Sequence, residues 1–264
     1  VFLHGVPTSS YLWRKVMPHC ADFGPCYAPD MVGMGSSSKP DIKYSVFDHI
    51  AYLEAWLLQL NLSKVTLVMH GWGSVVGFEL IRRHPELFKA CVCFEGHLRP
   101  VKRFSMLSLP MQQLGFELRG EEQLERRIVS ENMLIEQFMP DGMVHALSEE
   151  DWDVYRKPFL AKEHRQPLLQ FARELPFGDQ SRPVLRLIKR YSRFMQRYPL
   201  PKVLLYANPG FTATMETLTW CHDHWSHVQL LPIGQAFHYP METCPQRFSH
   251  TLLAGLGYDA QEEE

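Results

Sequence analysis

The sequence predicts an α/β fold, in which a mostly parallel sheet carries helices on both faces and a helical insertion covers one edge. Short apolar runs alternate with helical patterns along most of the chain, and this alternation is typical of parallel sheets. The alternation stops between Arg99 and Pro201, where the segments are helix-like and rich in Met and Arg. The chain has 264 residues, of which 45% are hydrophobic, and is therefore long enough to bury a substantial core.

Six apolar runs are short and nearly continuous, as expected for strands that are buried on both faces of a parallel sheet. They are Val1–Leu3, Cys26–Asp30, Val65–Met69, Ala90–Glu95, Lys202–Ala207 and His227–Pro232. Helical patterns separate these runs at Tyr11–Ala21, Val46–Leu60, Gly73–His84 and Thr214–His224. Because the chain begins inside the first run, we expect it to be a fragment of a longer protein.

The insertion divides the predicted sheet domain into a first core segment (1–99) and a second core segment (201–264), with a helical cap (100–200) between them. Open α/β sheets bind ligands at their carboxyl edge, where we expect the cap to lie. Within the cap, Arg182–Arg197 combines apolar residues at helical spacing with basic ones, which predicts an amphipathic helix with a solvated basic face. Five methionines of the cap either line an adaptable pocket or fill the core. They are Met106, Met111, Met133, Met139 and Met143.

The charge balance gives no reason to expect a nucleic acid or an anionic membrane as a partner, since 27 Lys and Arg face 29 Asp and Glu. Six cysteines occur without a CxxC pair, which favours reduced thiols and a cytoplasmic location. We expect no metal and no cofactor. The nearby His222 and His224 lie on different faces of a predicted helix, so solvated side chains are a better interpretation of them than metal ligands.

One strand–turn–helix segment carries the chemical information. The apolar run Val65–Met69 meets a sharp turn at His70–Gly73, and an apolar-periodic helix follows. This is the outline of the nucleophile elbow of α/β-hydrolases, whose apex bears the attacking side chain. The apex here is Gly71, which has no side chain that could attack a substrate.

Further motifs occur in a fixed order around this elbow. They are His4–Arg14 (HGVPTSSYLWR), Ala28–Ser36 (APDMVGMGS), Phe94–Pro100 (FEGHLRP) and Gly234–Glu242 (GQAFHYPME). Together they resemble the haloalkane dehalogenases, and within them the branch that includes the Renilla-type coelenterazine luciferases. The resemblance covers nearly the whole chain and implies an α/β-hydrolase fold with a helical cap. The first two strands of that family have no counterpart ahead of Val1.

The resemblance also implies roles for five positions, two of which are altered. Dehalogenases attack the halogen-bearing carbon with an Asp, where this chain has Gly71, and bind the halide partly through an Asn, where it has Val6. The Trp whose indole N–H binds the halide corresponds to Trp72. The base that activates water for hydrolysis of the ester corresponds to His238, and its carboxylate partner corresponds to Glu95.

Three interpretations of function remain open from the sequence. In the first, the protein has lost dehalogenation and either binds a small apolar molecule in a pocket under the cap or acts through protein contacts. Alternatively, His238 and Glu95 support weak ester hydrolysis or a luciferase-like, cofactor-free oxygenation. In the third interpretation the chain is not a functional product.

Overall fold

The computed structural model describes residues 1–176 and 182–258, which form one parallel sheet flanked by helices. The strands pair in chain order: β1 Phe2–Leu3, β2 Val65–His70, β3 Phe88–Phe94, β4 Lys202–Pro209 and β5 Val228–Ala236. Every neighbouring pair is parallel. The predicted fold class is confirmed.

The α-helices connect these strands and also fill the segment between β3 and β4. They are α1 Met17–Cys20, α2 Val46–Gln59, α3 Gly73–Arg83, α4 Leu109–Glu117, α5 Glu121–Glu125, α6 Met139–Asp141, α7 Glu149–Arg156, α8 Gln166–Glu174, α9 Arg182–Met195, α10 Met215–His224, α11 Pro240–Thr243 and α12 Pro245–Gly255. Two π-helical segments, Arg126–Ser130 and Leu134–Phe138, lie between α5 and α6. Within the described residues, no helix is long and apolar enough to cross a membrane.

Two predicted elements near the start of the chain are wrong. Cys26–Asp30 is not a strand: the amide of Phe2 donates one hydrogen bond of 2.8 Å to Tyr27 O, and Pro29 has no amide hydrogen with which to extend a ladder. The predicted helix Tyr11–Ala21 is broken into a 3₁₀ turn at Ser10–Trp13 and the short α1. Pro18 causes the second change, because a proline inside a helix removes a hydrogen bond and is tolerated only in the first turn.

The elbow folds as predicted because small residues let α3 approach the sheet. A Cβ atom at Gly73 would come within 2.6 Å of the carbonyl oxygens of Leu3 and His4, and one at Gly77 within 2.4 Å of Met69 Sδ. Only glycine allows these approaches without displacing the backbone of β1 or a buried side chain. The start of α3 is thereby fixed at the carboxyl end of β2.

The segment between β3 and β4, called the helical insertion below, contains α4 to α9. Its last helix, α9, buries Val184, Leu187, Ile188, Tyr191 and Met195, which confirms the amphipathic helix predicted for Arg182–Arg197. The buried residues of the insertion and of the sheet form one continuous hydrophobic cluster. The division of the chain into a core and a cap at 99/100 and 200/201 stays a prediction.

An ion-pair network joins the insertion to the sheet domain around Glu242, whose side chain is fully buried. Glu242 Oε1 accepts hydrogen bonds of 2.5 Å from Arg14 Nη1 and from the Tyr155 hydroxyl, and Oε2 accepts one of 3.0 Å from Lys15 Nζ. Arg14 also donates to Asp151 on α7. The network fixes α7 against the first loop of the sheet domain.

Candidate active site

The five site residues that the sequence predicts all follow the carboxyl ends of strands. Val6 follows β1, Gly71 and Trp72 follow β2, Glu95 follows β3, and His238 follows β5. Since the strands are parallel, these positions meet at one edge of the sheet, which is where open α/β sheets bind ligands. The structure therefore brings all five together, while their chemical roles stay predictions.

Glu95 and His238 form a buried pair. Glu95 Oε2 lies 3.2 Å from His238 Nδ1. The loop after β4 holds the carboxylate: Oε1 accepts a hydrogen bond of 3.2 Å from the amide of Phe211, and Oε2 accepts one from the amide of Thr212. Glu95 has φ +53°, a conformation that costs about 1–3 kcal/mol for a non-glycine residue and is found preferentially at functional sites.

The Thr212 side chain also faces this pair, with Oγ1 3.4 Å from His238 Nδ1. The carboxylate and the hydroxyl thus both lie on the Nδ1 side of the ring. A carboxylate in this position fixes the tautomer of a catalytic histidine and stabilises its protonated form. Nε2 is then the nitrogen available to take a proton from a bound molecule.

Gly71 lies on the Nε2 side of the ring and keeps the backbone of an elbow apex. Its φ is +51°, and its carbonyl oxygen accepts a hydrogen bond of 2.6 Å from Ser74 Oγ. A Cβ atom at Gly71 would lie 3.6 Å from Gly5 Cα and 3.7 Å from His238 Nε2, both ordinary contact distances. A side chain would therefore fit at this position and would be directed towards His238.

A small cavity of about 40 Å³ connects these groups. Val6, Gly71, Trp72 and His238 line its floor, and apolar side chains of the insertion line the rest, among them Met111, Leu114, Leu134, Phe138, Phe171 and Leu175. Sites that hold drug-sized ligands measure roughly 300–1,000 Å³. In this conformation the cavity is therefore smaller than most ligand sites.

Two further histidines lie near His238 and are uncharged at neutral pH. His70 Nε2 lies 2.9 Å from the carbonyl oxygen of His238, which can only accept, so Nε2 carries the proton. Burial, with the nearby His238 as a second cause, holds the pKa of His70 well below its usual value. The same two causes lower the pKa of His97 to about 4. His238 is therefore surrounded by neutral imidazoles.

His97 and Thr212 are site residues that the sequence interpretation missed. His97 lines the cavity, and its ring centroid lies 5.3 Å from that of Trp72. It belongs to the motif Phe94–Pro100, but the motif gave it no role. Thr212 has no sequence signal at all, because it lies in an irregular loop whose path depends on how Glu95 binds the loop amides.

The structure also gives the positions of the five methionines of the insertion and of His222 and His224. Met111 lines the cavity, Met133, Met139 and Met143 are buried, and Met106 is half-buried. His222 is exposed beside Asp223, and the ring of His224 stacks on Trp220. In the described part of the chain, no group of three His, Cys, Asp or Glu residues is arranged to hold a metal ion.

Comparison with known proteins places this chain in a family. Residues 1–243 match the family described as alpha/beta hydrolase fold. A haloalkane dehalogenase of Mesorhizobium japonicum is 34% identical over 97% of this chain and 83% of its own length. A coelenterazine h 2-monooxygenase of Renilla reniformis is 33% identical over 80% of this chain and 69% of its own length.

The similarity extends to solved structures. The crystal structure of haloalkane dehalogenase DbeA from Bradyrhizobium elkani superposes with a TM-score of 0.92 at 31% sequence identity, over 97% of this chain and 88% of that one. Sequence and structure agree, and this chain belongs to the haloalkane dehalogenase family of the α/β-hydrolase fold.

Proposed function

We propose that this chain does not hydrolyse carbon–halogen bonds through an alkyl–enzyme ester, and that it binds a small apolar molecule in its cavity. One observation carries the proposal: the position from which a side chain would reach the cavity beside His238 Nε2 is Gly71. Displacement of a halide needs an anionic atom held in line with the carbon–halogen bond, and alignment supplies much of the rate. Glycine offers no such atom.

Val6 adds a second defect. A departing halide is stabilised by N–H donors in a cavity that excludes water, where dipoles act more strongly than in bulk solvent. Val6 lines the cavity and its aliphatic side chain cannot donate a hydrogen bond. Trp72, the other expected side-chain donor, also lines the cavity.

Restoring the two side chains tests this proposal. The wild type is expected to release bromide from short bromoalkanes no faster than buffer, and the double variant Val6→Asn, Gly71→Asp is expected to turn over. Adding His238→Ala to the double variant should stop the reaction after one bromide per protein, with an alkyl group retained in the intact mass. Bromide release by the wild type over many turnovers would contradict the proposal.

Binding can be followed directly because Trp72 lines the cavity. A short alkane or alcohol that enters it should change the tryptophan fluorescence, and the change should be lost in Trp72→Phe. Trp56→Phe, on α2 and outside the residues that line the cavity, is the matched control and should keep the response. A response that survives in Trp72→Phe would place binding elsewhere.

A second function is favoured by the intact pair of Glu95 and His238. A water beside Nε2 could lose its proton to His238 and attack an activated ester, and general-base catalysis of this kind contributes about 10²–10⁴-fold. The cavity of about 40 Å³ favours a short ester over a molecule as large as coelenterazine. Luciferase-like oxygenation is therefore the weaker alternative.

Hydrolysis of p-nitrophenyl acetate distinguishes this activity from background. The wild type should exceed both His238→Ala and Glu95→Gln, and by the larger factor for His238→Ala, because the histidine takes the proton while the carboxylate orients it and stabilises the protonated ring. His222→Ala removes an exposed histidine and should leave the rate unchanged. Equal rates for the wild type and His238→Ala would exclude catalysis by the pair.

A further inference from the structure

The sheet edge has room for a group of atoms at Gly71, and the neighbouring Gly5 and Gly73 have no such room. A Cβ atom there would meet nothing closer than 3.6 Å. At the neighbouring Gly5 a Cβ atom would lie 3.0 Å from a backbone oxygen, and at Gly73 it would lie 2.6 Å from two. Gly5 and Gly73 are required by close packing, whereas Gly71 opens onto the cavity.

Backbone donors beside this space would stabilise an anion, against the negative charge of Glu95 on the far side of His238. Val6 and Trp72 both line the cavity, and neither of their amide N–H groups has a hydrogen-bond acceptor within residues 1–176 and 182–258. Trp72 also precedes the first turn of α3, an 11-residue helix whose N-terminus carries a partial positive charge. Any anion bound beside Gly71 would lie near this helix end and near His238 Nε2.

We propose that the space beside Gly71 binds a small anionic nucleophile from solution, such as formate or azide, and that the bound anion displaces halide from a short primary haloalkane. The proposal rests on the loss of the protein's own nucleophile. With formate, a carboxylate oxygen supplies the electron pair for a new carbon–oxygen bond, and the halide leaves with the electrons of the carbon–halogen bond. No proton is transferred, and the products are an alkyl formate and a halide ion.

Size selects formate over acetate. A covalently attached carboxylate begins with a Cβ about 1.5 Å from Cα, but a free anion must stay at a contact distance of about 3.5–4 Å. The carboxylate of acetate would therefore lie farther from the Cα atom of Gly71 than the carboxylate of an aspartate side chain does. The extra distance is about the difference between the contact distance and the Cα–Cβ bond length. Formate lacks the methyl group and recovers most of that distance.

The test measures bromide and the organic product from bromoethane at increasing formate or azide concentration. With the wild type, both ethyl formate and ethyl azide should form at least about 10-fold faster than in protein-free buffer at the same anion concentration. The rate should saturate with anion, and formate should outperform acetate. A rate that rises linearly with anion, equally for formate and acetate, would overturn the proposal.

Gly71→Ala supplies the structural control, because its methyl group fills the space without a clash. This variant should lose the anion-dependent rate. Gly257→Ala places the same methyl group on an exposed glycine that also has positive φ (+78°), and it should keep that rate. Bromide release without any added anion would instead contradict the proposed loss of dehalogenation. Failure of the anion-binding proposal can therefore be distinguished from failure of the proposed function.

Discussion

A Cβ atom at Gly71 would lie 3.7 Å from Nε2 of His238, and on the other side of the same ring Nδ1 lies 3.2 Å from Glu95 Oε2. In the proposed ester hydrolysis, His238 would take the proton and Glu95 would stabilise the protonated ring. Gly71 itself carries no side chain. Its backbone has the left-handed conformation, with φ +51°.

Gly71→Asp should lower stability. A side chain at φ +51° is strained, and such strain costs about 1–3 kcal/mol, whereas glycine adopts this φ freely. Urea unfolding of the variant should show a free energy of unfolding reduced by that amount. Burial of the aspartate charge would lower stability further. Gly71→Ala has the same backbone strain without the buried charge, so its free energy of unfolding measures the strain alone. A Tm equal to or above that of the wild type would contradict the strain argument.

Glu95→Gln should destabilise the loop after β4. The carboxylate accepts hydrogen bonds from the amides of Phe211 and Thr212, and the NH₂ group of glutamine would face one of these donors. Hydrogen bonds to a buried charge contribute about 1.5–3 kcal/mol each, so the midpoint of urea unfolding should fall clearly. Glu216→Gln changes an exposed carboxylate and should have little effect. Similar midpoints for the two variants would show that the loop does not depend on Glu95.

Glu242→Leu should be strongly destabilising. It removes a buried carboxylate that pairs with Arg14 and Lys15, and breaking a buried pair from one side costs about 3–5 kcal/mol. Asp151→Asn breaks the half-exposed arm of the same network and should cost at most about 1 kcal/mol. Thermal unfolding of both variants tests this order, and a reversed order would contradict it.

Lys202 should make stability depend on pH. Its side chain is buried and donates hydrogen bonds to the carbonyl oxygens of Tyr198, Leu200 and Ser226, and burial lowers its pKa from 10.5 to about 8. Between these two values the unfolded chain holds a proton that the folded chain has lost, so the free energy of unfolding rises with pH.

The measurement is the difference in free energy of unfolding between the wild type and Lys202→Met. From pH 8 to pH 10 this difference should rise by roughly 2 kcal/mol in favour of the wild type. The comparison with the variant cancels the other groups that titrate in this range. A difference that stays constant over this range would show that Lys202 titrates at the same pH in the folded and unfolded chains.

The sequence predicts the sheet and the placement of the site well, because both depend on local patterns. Apolar runs identify β1 to β5, and a parallel sheet brings the residues after their carboxyl ends together. It fails at Cys26–Asp30 and Tyr11–Ala21, where prolines override apolar patterning. His97, Thr212 and the size of the cavity depend on how the insertion packs over the sheet edge, and no local pattern encodes that packing.

Bromide release by the wild type, measured over a series of bromoalkanes with no added nucleophile, tests the central claim most directly. The expected result is the rate of protein-free buffer for every bromoalkane, because Gly71 provides no atom that can attack carbon. Release of several bromide ions per protein, abolished by His238→Ala, would contradict this account and show that the site still hydrolyses haloalkanes.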